Sequence, residues 1–576
     1  MGNVEEVKKN SQGLRGTIAE TLARKDACFN DTDQHVIKFH GLYQEDDRDE
    51  RMARIKAKEE PAYILMVRCK LPGGKLSAAQ YLAMDQICGD LGNGSLRVTT
   101  RQDFQFHGVL LGNVKELIQK IYAAEVTTFG GCGDVERNVV ATPAPFAEPM
   151  YREIQEAAQQ LSAATLPKTR AYFDVWLDGE KLKREDEPDP LYKDVYLPRK
   201  FKSAILAGPR NDIDAYAHDL TFVAHAPTGT VEGYTVLAGG GFGMDHGKKA
   251  TYPFLAVPLY YVGKEHVVDV AKAVIATFRD FGDRENRKHA RLKYQIVERG
   301  VQWLIDETKS RLPGVKFEKP KSLKLGSTED WLGWHEQGDG KLFLGVKIES
   351  GRIKDFDGGP SIRTALRTLV ERFKCEVRLT ANQNVIFCHL NPADRGEIDA
   401  HLQKHGILPA ADYTRPHRMG IACTALPTCK LALSESERVF PDLMNRIDAV
   451  LKDLGLQDES ILFRMTGCPN GCARPYNADF AFVGRGIGKY AVYIGGSHRG
   501  DRMAGLAMKT CDLEEIPGAV RPYLESFKAQ RTPGETFTDW WGRTQPAGPA
   551  PHPDQFHVEL EARKARLAGT KASAPE

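Results

Sequence analysis

No stretch of this chain approaches the roughly 18 apolar residues that a membrane-spanning helix requires. The opening MGNVEEVKKNSQG lacks the apolar core of a secretory signal, and Glu6 stands where N-myristoylation wants a hydroxyl residue, so a cytoplasmic protein with no membrane partner is expected. Net charge is nearly absent too. The 79 Lys and Arg stand against 77 Asp and Glu, which argues against nucleic acid as a partner and leaves charge-based function to local clusters. There is no P-loop, HExxH or GxSxG. The glycine run AGGGFG at 238–243 is not a GxGxxG dinucleotide fingerprint; it reads as a tight turn or as a close backbone approach to a cofactor. Lacking a site for NADPH or flavin, a redox protein of this sequence would draw electrons from a partner. The eleven cysteines are odd in number and widely scattered, so they form no disulfide framework, and those that cluster point to metal binding or catalysis.

What is present begins with a repeat. At 576 residues several domains are expected. Residues 1–55 are polar, and QEDDRDERMARIKAKEEP is charged densely enough to read as an arm or a solvated helix. From Ala62 onward, YILMVRCKLPGGKL and SLRVTTRQDFQFHGVLL read as strands, and SAAQYLAMDQICGDLG and NVKELIQKIYAAE as helices. That order predicts an α+β unit with one helical face. It then returns: KLFLGVKIESGRI parallels ILMVRCKLPGGKL, and VRLTANQNVIF parallels LRVTTRQDFQF. Arg97, Thr99, Gln102 and Phe106 match Arg378, Thr380, Gln383 and Phe387 at a constant offset of 281, which also sets RNVVATPAP against RMGIACTALP. Such register implies an internal duplication. The copies differ in chemistry. Arg68, Arg101 and His107 become Gly345, Asn382 and Cys388, whereas Thr142 faces Cys423. The middle of the chain shows helices (EPMYREIQEAAQQLSAA, DVAKAVIATFRDFG) and strands (RAYFDVWLDG, FKSAILAG, YTVLAGGGFG), and PAGPAPHPDQ and KASAPE read as a disordered tail.

Two constellations carry chemistry. Cys423 and Cys429 lie in IACTALPTCKLA, and Cys468 and Cys472 in MTGCPNGCARP. Four soft thiolates on two loops suit an iron–sulfur cubane or zinc, although the spacing is not that of a zinc ribbon. Pro427, Pro469 and Gly471 bend the loops, so that backbone N–H groups can turn toward cluster sulfurs. Between the pairs, Val439, Leu443, Ile447, Val450 and Leu454 mark a packed helix. The second constellation is cationic: Arg68, Arg97 and Arg101 on core-like strands, Arg137 beyond them, and Arg199, Lys200 and Lys202 in YLPRKFKSA. Strand alternation places Lys200 and Lys202 on one face and Phe201 on the other. So many cations in core-like segments require anions, for which a polycarboxylate cofactor and an oxyanion substrate are candidates.

The motifs TRQDFQFHG, RNVVATP, LPRKFK, CTALPTC and TGCPNGCARP together resemble those of the sirohaem-dependent sulfite and nitrite reductases, above all the assimilatory sulfite reductase haemoproteins, from about Leu14 to about Gly542. The resemblance implies a pseudo-two-fold α+β fold. Its parts would be an N-terminal arm (1–55), ferredoxin-like half-domains (56–128 and 326–405), a sirohaem/substrate domain (129–325), a [4Fe–4S]/sirohaem domain (406–542) and a tail (543–576). It implies that Cys423, Cys429, Cys468 and Cys472 hold a [4Fe–4S] cluster and that Cys472 also bridges to the sirohaem iron. Arg68, Arg137, Lys200 and Lys202 would surround the substrate, with Arg97, Arg101, His107, Arg199 and Asn470 near the macrocycle. The implied reaction is six-electron reduction of sulfite to sulfide; reduction of nitrite to ammonia is the alternative. Lys202, where the nitrite enzymes tend to be neutral, and Phe104, where they tend to have Trp, favour sulfite. The donor is open: LRGTIAE and DDRDER resemble the subunit that pairs with an NADPH-oxidising flavoprotein, while GWHEQGDGKLF and GCGDVERN resemble ferredoxin-dependent enzymes. Tyr43 and Cys132 match positions that form a thioether in some relatives. A non-catalytic iron–sulfur carrier and a structural zinc protein are the rival readings.

Overall fold

A computed structural model describes residues 4–169, 171, 176–177, 180–181, 189–545 and 556–560. Its architecture is α+β, and the duplication is visible in four five-stranded sheets that fall into two matched pairs. The first pair is antiparallel. One sheet orders Leu42–Asp46, Tyr63–Arg68, Phe104–Val109 and Leu96–Val98, and the other orders Gly333–Glu336, Leu342–Val346, Val385–Leu390 and Glu376–Leu379. Each completes its fifth place with a strand from the other copy. Arg352–Ile353 pairs with Leu96–Arg97, and Lys75–Leu76 pairs with Val377–Arg378. The entry into each exchanged strand passes over backbone: a Cβ on Gly74 would meet the Leu379 carbonyl at 2.4 Å, and one on Gly351 the Val98 carbonyl at 2.2 Å. Both glycines sit at positive φ, +70° and +76°, so no other residue fits there.

The second pair is mixed. Val140–Ala141, Ser203–Leu206 and Leu220–His225 run parallel and continue antiparallel into Gly233–Ala238 and Val257–Gly263. Ile421–Ala422, Phe463–Thr466 and Phe480–Gly486 repeat the pattern, continuing into Lys489–Ile494 and Gly505–Asp512. Helices cover these sheets, and the predicted helix between the cysteine pairs is Phe440–Leu454, its Leu443, Ile447 and Leu454 buried. Ser77 and Gln80 form a capping box that starts the predicted helix at Ala78–Leu91.

Two expectations shift. Leu42–Asp46 falls within the expected 1–55 arm yet pairs along its whole length with Tyr63–Arg68; its alternating burial is masked in the sequence by the charged residues that follow. The solvated helix does exist, at Arg51–Ala57, with no buried residue. Of the expected tail, Phe556–Leu560 packs on the body and Phe556 is buried, whereas most of the strand expected at RAYFDVWLDG lies outside the described residues.

The halves meet on a buried charge network. Arg464 Nη1 donates to Asp214 Oδ2 (2.7 Å), to the Arg474 carbonyl (2.9 Å) and to Asn477 Oδ1 (2.8 Å), and Arg474 Nε stands 3.0 Å from the same Asp214 oxygen. Asp214 and Arg474 hold equivalent places in the two copies, each in left-handed backbone just before a short 3₁₀ turn, Ala215–Ala217 and Pro475–Asn477. Removing the carboxylate would strand two buried guanidinium groups. Asp214→Ala is therefore expected to destabilise the protein by about 3–5 kcal/mol, read as a lowered urea midpoint; a midpoint within about 0.5 kcal/mol of the parent would show that the network contributes little.

Candidate active site

Both cysteine pairs leave the carboxyl ends of neighbouring parallel strands, the customary position for ligand loops in such sheets. Cys423 follows Ile421–Ala422, and Cys468 follows Phe463–Thr466 by one turn. Gly467, between strand and turn, donates its N–H to Cys423 Sγ at 3.2 Å, and Asn470 Nδ2 donates to Cys468 Sγ at 3.5 Å. A side chain at Gly467 would meet Ala425 Cβ and the Ser434 carbonyl at 2.5 Å, so the N–H can reach the sulfur only from glycine. Burial, and then the neighbouring Cys472, push Cys423 up to about 12 and Cys468 up to about 11; burial likewise raises Cys429 well above its ordinary value. The thiols thus repel one another as anions and require a shared positive centre. Among the described residues, no three His, Cys, Asp or Glu side chains converge closely enough to grip a single metal ion.

One cavity of about 430 Å³ is lined by all four cysteines and by every cation singled out in the sequence: Arg68, Arg97, Arg101, Arg137, Arg199, Lys200 and Lys202, with His107 and Asn470. Cys472 is the exposed thiol of the four and faces this space. As the alternation predicts, Phe201 is buried in the core against Phe278, while the lysines on either side of it line the cavity.

The cations differ in how they are held. Arg97 binds the carbonyls of Ser350 (2.9 Å) and Ala422 (3.0 Å) and pairs with Glu437 (2.9 Å). Arg101 donates to the Ser203 carbonyl (2.9 Å) and lies 2.8 Å from His218 Nδ1, leaving its buried Nε without a partner. Arg137 is fixed by the carbonyls of Gly133 (2.8 Å) and Gly131 (3.2 Å), and Arg68 donates to the Cys132 sulfur at 3.1 Å. The side chains of Arg199, Lys200 and Lys202 make no hydrogen bond or ion pair among the described residues, although the Lys202 carbonyl accepts the Leu220 N–H at 3.1 Å. Burial, then Arg199 and Arg291, hold Lys200 down at about 7; burial and then Lys200 hold Lys202 well below its ordinary range. Burial likewise keeps His107 neutral, with Nδ1 unpartnered.

Sequence reasoning missed the rim. Val4, His35, Lys38, Asp134 and Arg287 also line the cavity. Lys8, only 2% exposed, ties the first helix down through the Leu197 carbonyl (2.8 Å) and Asp134 (3.4 Å), and Arg287 grips the same carboxylate at 2.7 Å. The polar texture of 1–55 hid this role; the one signal was the apolar spacing of Val36 and Phe39. The AGGGFG run serves close approach to protein: a Cβ on Gly240 would strike the Tyr216 carbonyl at 2.3 Å, and Met244 N–H donates to the Pro469 carbonyl (3.2 Å). Tyr43 lines the cavity, and its phenol lies within electrostatic reach of Cys132, a free thiol.

A duplicated α+β chain that sets four thiols against a cationic cavity defines a class of anion-binding redox protein. Residues 156–316 match the nitrite and sulphite reductase 4Fe-4S domain, and residues 56–124 and 335–405 match the nitrite/sulfite reductase ferredoxin-like half domain. The chain is 42% identical, over 96% of its length and 97% of the relative's, to the "sulfite reductase [NADPH] hemoprotein beta-component" of Chromohalobacter salexigens. It is also 42% identical, over 93% and 94%, to that of Staphylococcus haemolyticus. The solved structure of the Mycobacterium tuberculosis NirA protein shares the fold, with a TM-score of 0.77 at 23% identity, covering 94% of this chain and 96% of that one. The chain belongs to the nitrite and sulphite reductase family. Residues 156–316 contain no cysteine, so the thiol set belongs to the other copy.

Lys200 gives the cavity a pH signature. Its value of about 7 lies below the ordinary 10.5, so between the two the unfolded chain binds the extra proton and stability rises with pH. The penalty is complete below about pH 7 and gone above about 10.5. In protein free of anions, Lys200→Met is expected to raise the urea midpoint at about pH 7 and to flatten its rise toward about pH 9. An unaltered slope would mean that Lys200 is solvated in the folded chain.

Proposed function

We propose that this chain is a sulfite reductase haemoprotein that reduces sulfite to sulfide by six electrons at a coupled sirohaem and [4Fe–4S] centre. The observation that carries this reading is the single cavity into which the four thiols and the cations converge. The residues fit both cofactors. Four thiols in mutual electrostatic reach, with N–H donors on two sulfurs, suit a cubane, which Cys423, Cys429, Cys468 and Cys472 would hold; Cys472, exposed to the cavity, would be the ligand placed to couple it to the macrocycle. The unpartnered Arg101 Nε and His107 Nδ1, with the unpaired Arg199, suit an anionic macrocycle bearing carboxylates. Arg97, held by Glu437 and backbone carbonyls, has less left to offer it.

When bound, the sirohaem–cluster pair supplies electrons and an iron site for the sulfur of sulfite. The chain supplies charge and protons. Arg137 is oriented by two glycine carbonyls through Nε and Nη1, leaving Nη2 for an oxyanion. Lys200 and Lys202 stand unpaired beside it, and a bound dianion would restore their charge. A lysine poised near neutrality both stabilises the charge developing on a departing oxygen and delivers a proton to it. The relatives' names support NADPH as the electron source, through a flavoprotein partner, over ferredoxin. A cytoplasmic setting fits eleven unpaired cysteines. Among the described residues no helix is long and apolar enough to cross a membrane.

The purified chain is expected to show a tetrapyrrole band and to contain iron and acid-labile sulfide; a colourless zinc protein would overturn the reading. Lys202→Ala and Arg137→Ala should each lower sulfite turnover by about 100-fold or more with both cofactors retained. Loss of the tetrapyrrole band in these variants would make the role structural. The parent should favour sulfite over nitrite in kcat/KM; the reverse order would select the nitrite reading.

A further inference from the structure

The segment Phe556–Leu560 reaches back toward the thiol loops. Phe556 is 2% exposed; its ring stacks on Tyr493 (centroids 5.5 Å apart, planes at 15°) and meets Tyr476 edge-on at 5.5 Å. His557 Nε2 lies 2.7 Å from the Thr251 carbonyl. Glu559 accepts the Lys509 N–H at 3.2 Å and bridges alongside Leu506, while Leu560 covers Gly505. The segment therefore extends the edge of the second mixed sheet and drives one aromatic ring inward.

Its contacts converge on a single backbone group. Tyr476 Oη donates to the Pro469 carbonyl at 3.1 Å, and Met244 N–H donates to the same oxygen at 3.2 Å. Phe556 backs Tyr476 directly. His557 backs the Met244 loop through Thr251, whose hydroxyl accepts the Asp245 N–H at 2.8 Å. Pro469 lies inside the Cys468–Cys472 turn. That turn bends through Gly471 at φ +65°, where an added Cβ would meet Phe242 and Tyr476 at 3.1 Å. Glycine takes this bend at no steric cost, so the turn is held in place by what packs and hydrogen-bonds on it, not by backbone strain.

We propose that Phe556 and His557 are positioning residues: they clamp Tyr476 and the 239–254 loop onto the Pro469 carbonyl and thereby fix the turn that presents Cys468 and Cys472. This rests on the functional reading above, in which these thiols ligate the cluster. The segment touches neither the cations nor the substrate space, so its effect falls on cluster retention.

The test compares holoenzyme of the full chain, of a chain ending at Gln545, and of Phe556→Ala, Phe556→Leu, Tyr476→Phe and Leu560→Ala variants. The readouts are iron release to a chelator, acid-labile sulfide and the unfolding midpoint. Truncation and Phe556→Ala are expected to speed iron release about tenfold, since a vacated aromatic site loosens its neighbours. Tyr476→Phe should give a smaller increase, Phe556→Leu should restore slow release, and Leu560→Ala, which packs on a different core cluster from Phe556 and Tyr476, should leave it unchanged. Unchanged release in Phe556→Ala, or equal acceleration by Leu560→Ala, would overturn the clamp. If the truncated chain fails to fold, the point variants decide. If the full chain holds no iron or sulfide, the functional reading fails first. The clamp is then read by amide hydrogen exchange at Gly471–Ala473, which must accelerate in Phe556→Ala for it to stand.

Discussion

Buried positive charge without a protein counter-charge is the constraint on which the site depends. Arg199, Lys200 and Lys202 enter the cavity unpaired. Of the carboxyl groups lining the cavity, Asp134 is taken by Lys8 and Arg287, Asp103 by Thr99 and Arg68, and burial raises Glu45 to about 8. Folding leaves a surplus of positive charge that the lysines shed as protons and that a bound anion would restore. The thiols opposite carry the converse problem, since burial and mutual repulsion oppose their ionisation until a positive centre joins them. Two unfavourable charge states face each other across one cavity, and each is relieved by what the other half attracts.

The duplication explains how one chain maintains both. Where the second copy has Cys423 and Cys472, the first has Thr142 and Asp212. Thr142 Oγ1 donates to Asp212 at 3.1 Å, and Trp331 Nε1 closes on the other carboxylate oxygen at 2.8 Å. Burial raises that carboxyl to about 7, so the pair sits comfortably in a dry, filled space. The first copy has sealed its own thiol place with hydrogen bonds. Its cations instead project from residues ahead of Val140–Ala141 and Ser203–Leu206 into the cavity that holds the other copy's thiols.

The repeat, the thiol set and the cations were legible in the sequence because each depends on local identity or fixed spacing. Gln102 and Gln383, matched by offset alone, do equivalent work: both sit at positive φ and donate across the sheets to the carbonyls of Ala141 and Ala422. The exchanged strands Lys75–Leu76 and Arg352–Ile353 were not legible, since two residues carry no periodicity and their pairing is wholly non-local. Leu42–Asp46 was hidden by the charged run beside it, and Lys8 looked like any solvated lysine. Phe556 was overlooked because a single aromatic in a Pro-rich tail gives no pattern.

Why the machinery needs both copies follows from the seam between them. Asp214 answers two guanidinium groups of the other copy, and one of them, Arg474, also donates to the Ala381 carbonyl (3.0 Å) and Asn382 Oδ1 (2.7 Å). Arg474 is two residues beyond Cys472. The carboxylate that locks the seam therefore sets the position of the exposed thiol, while Thr100 Oγ1, beside Arg101, holds the Cys472 carbonyl at 3.0 Å. A half alone would lose the fifth strand that its antiparallel sheet takes from the other copy, and with it the register between cations and thiols. That register is what sets the cations of the first copy in one cavity with the exposed thiol of the second.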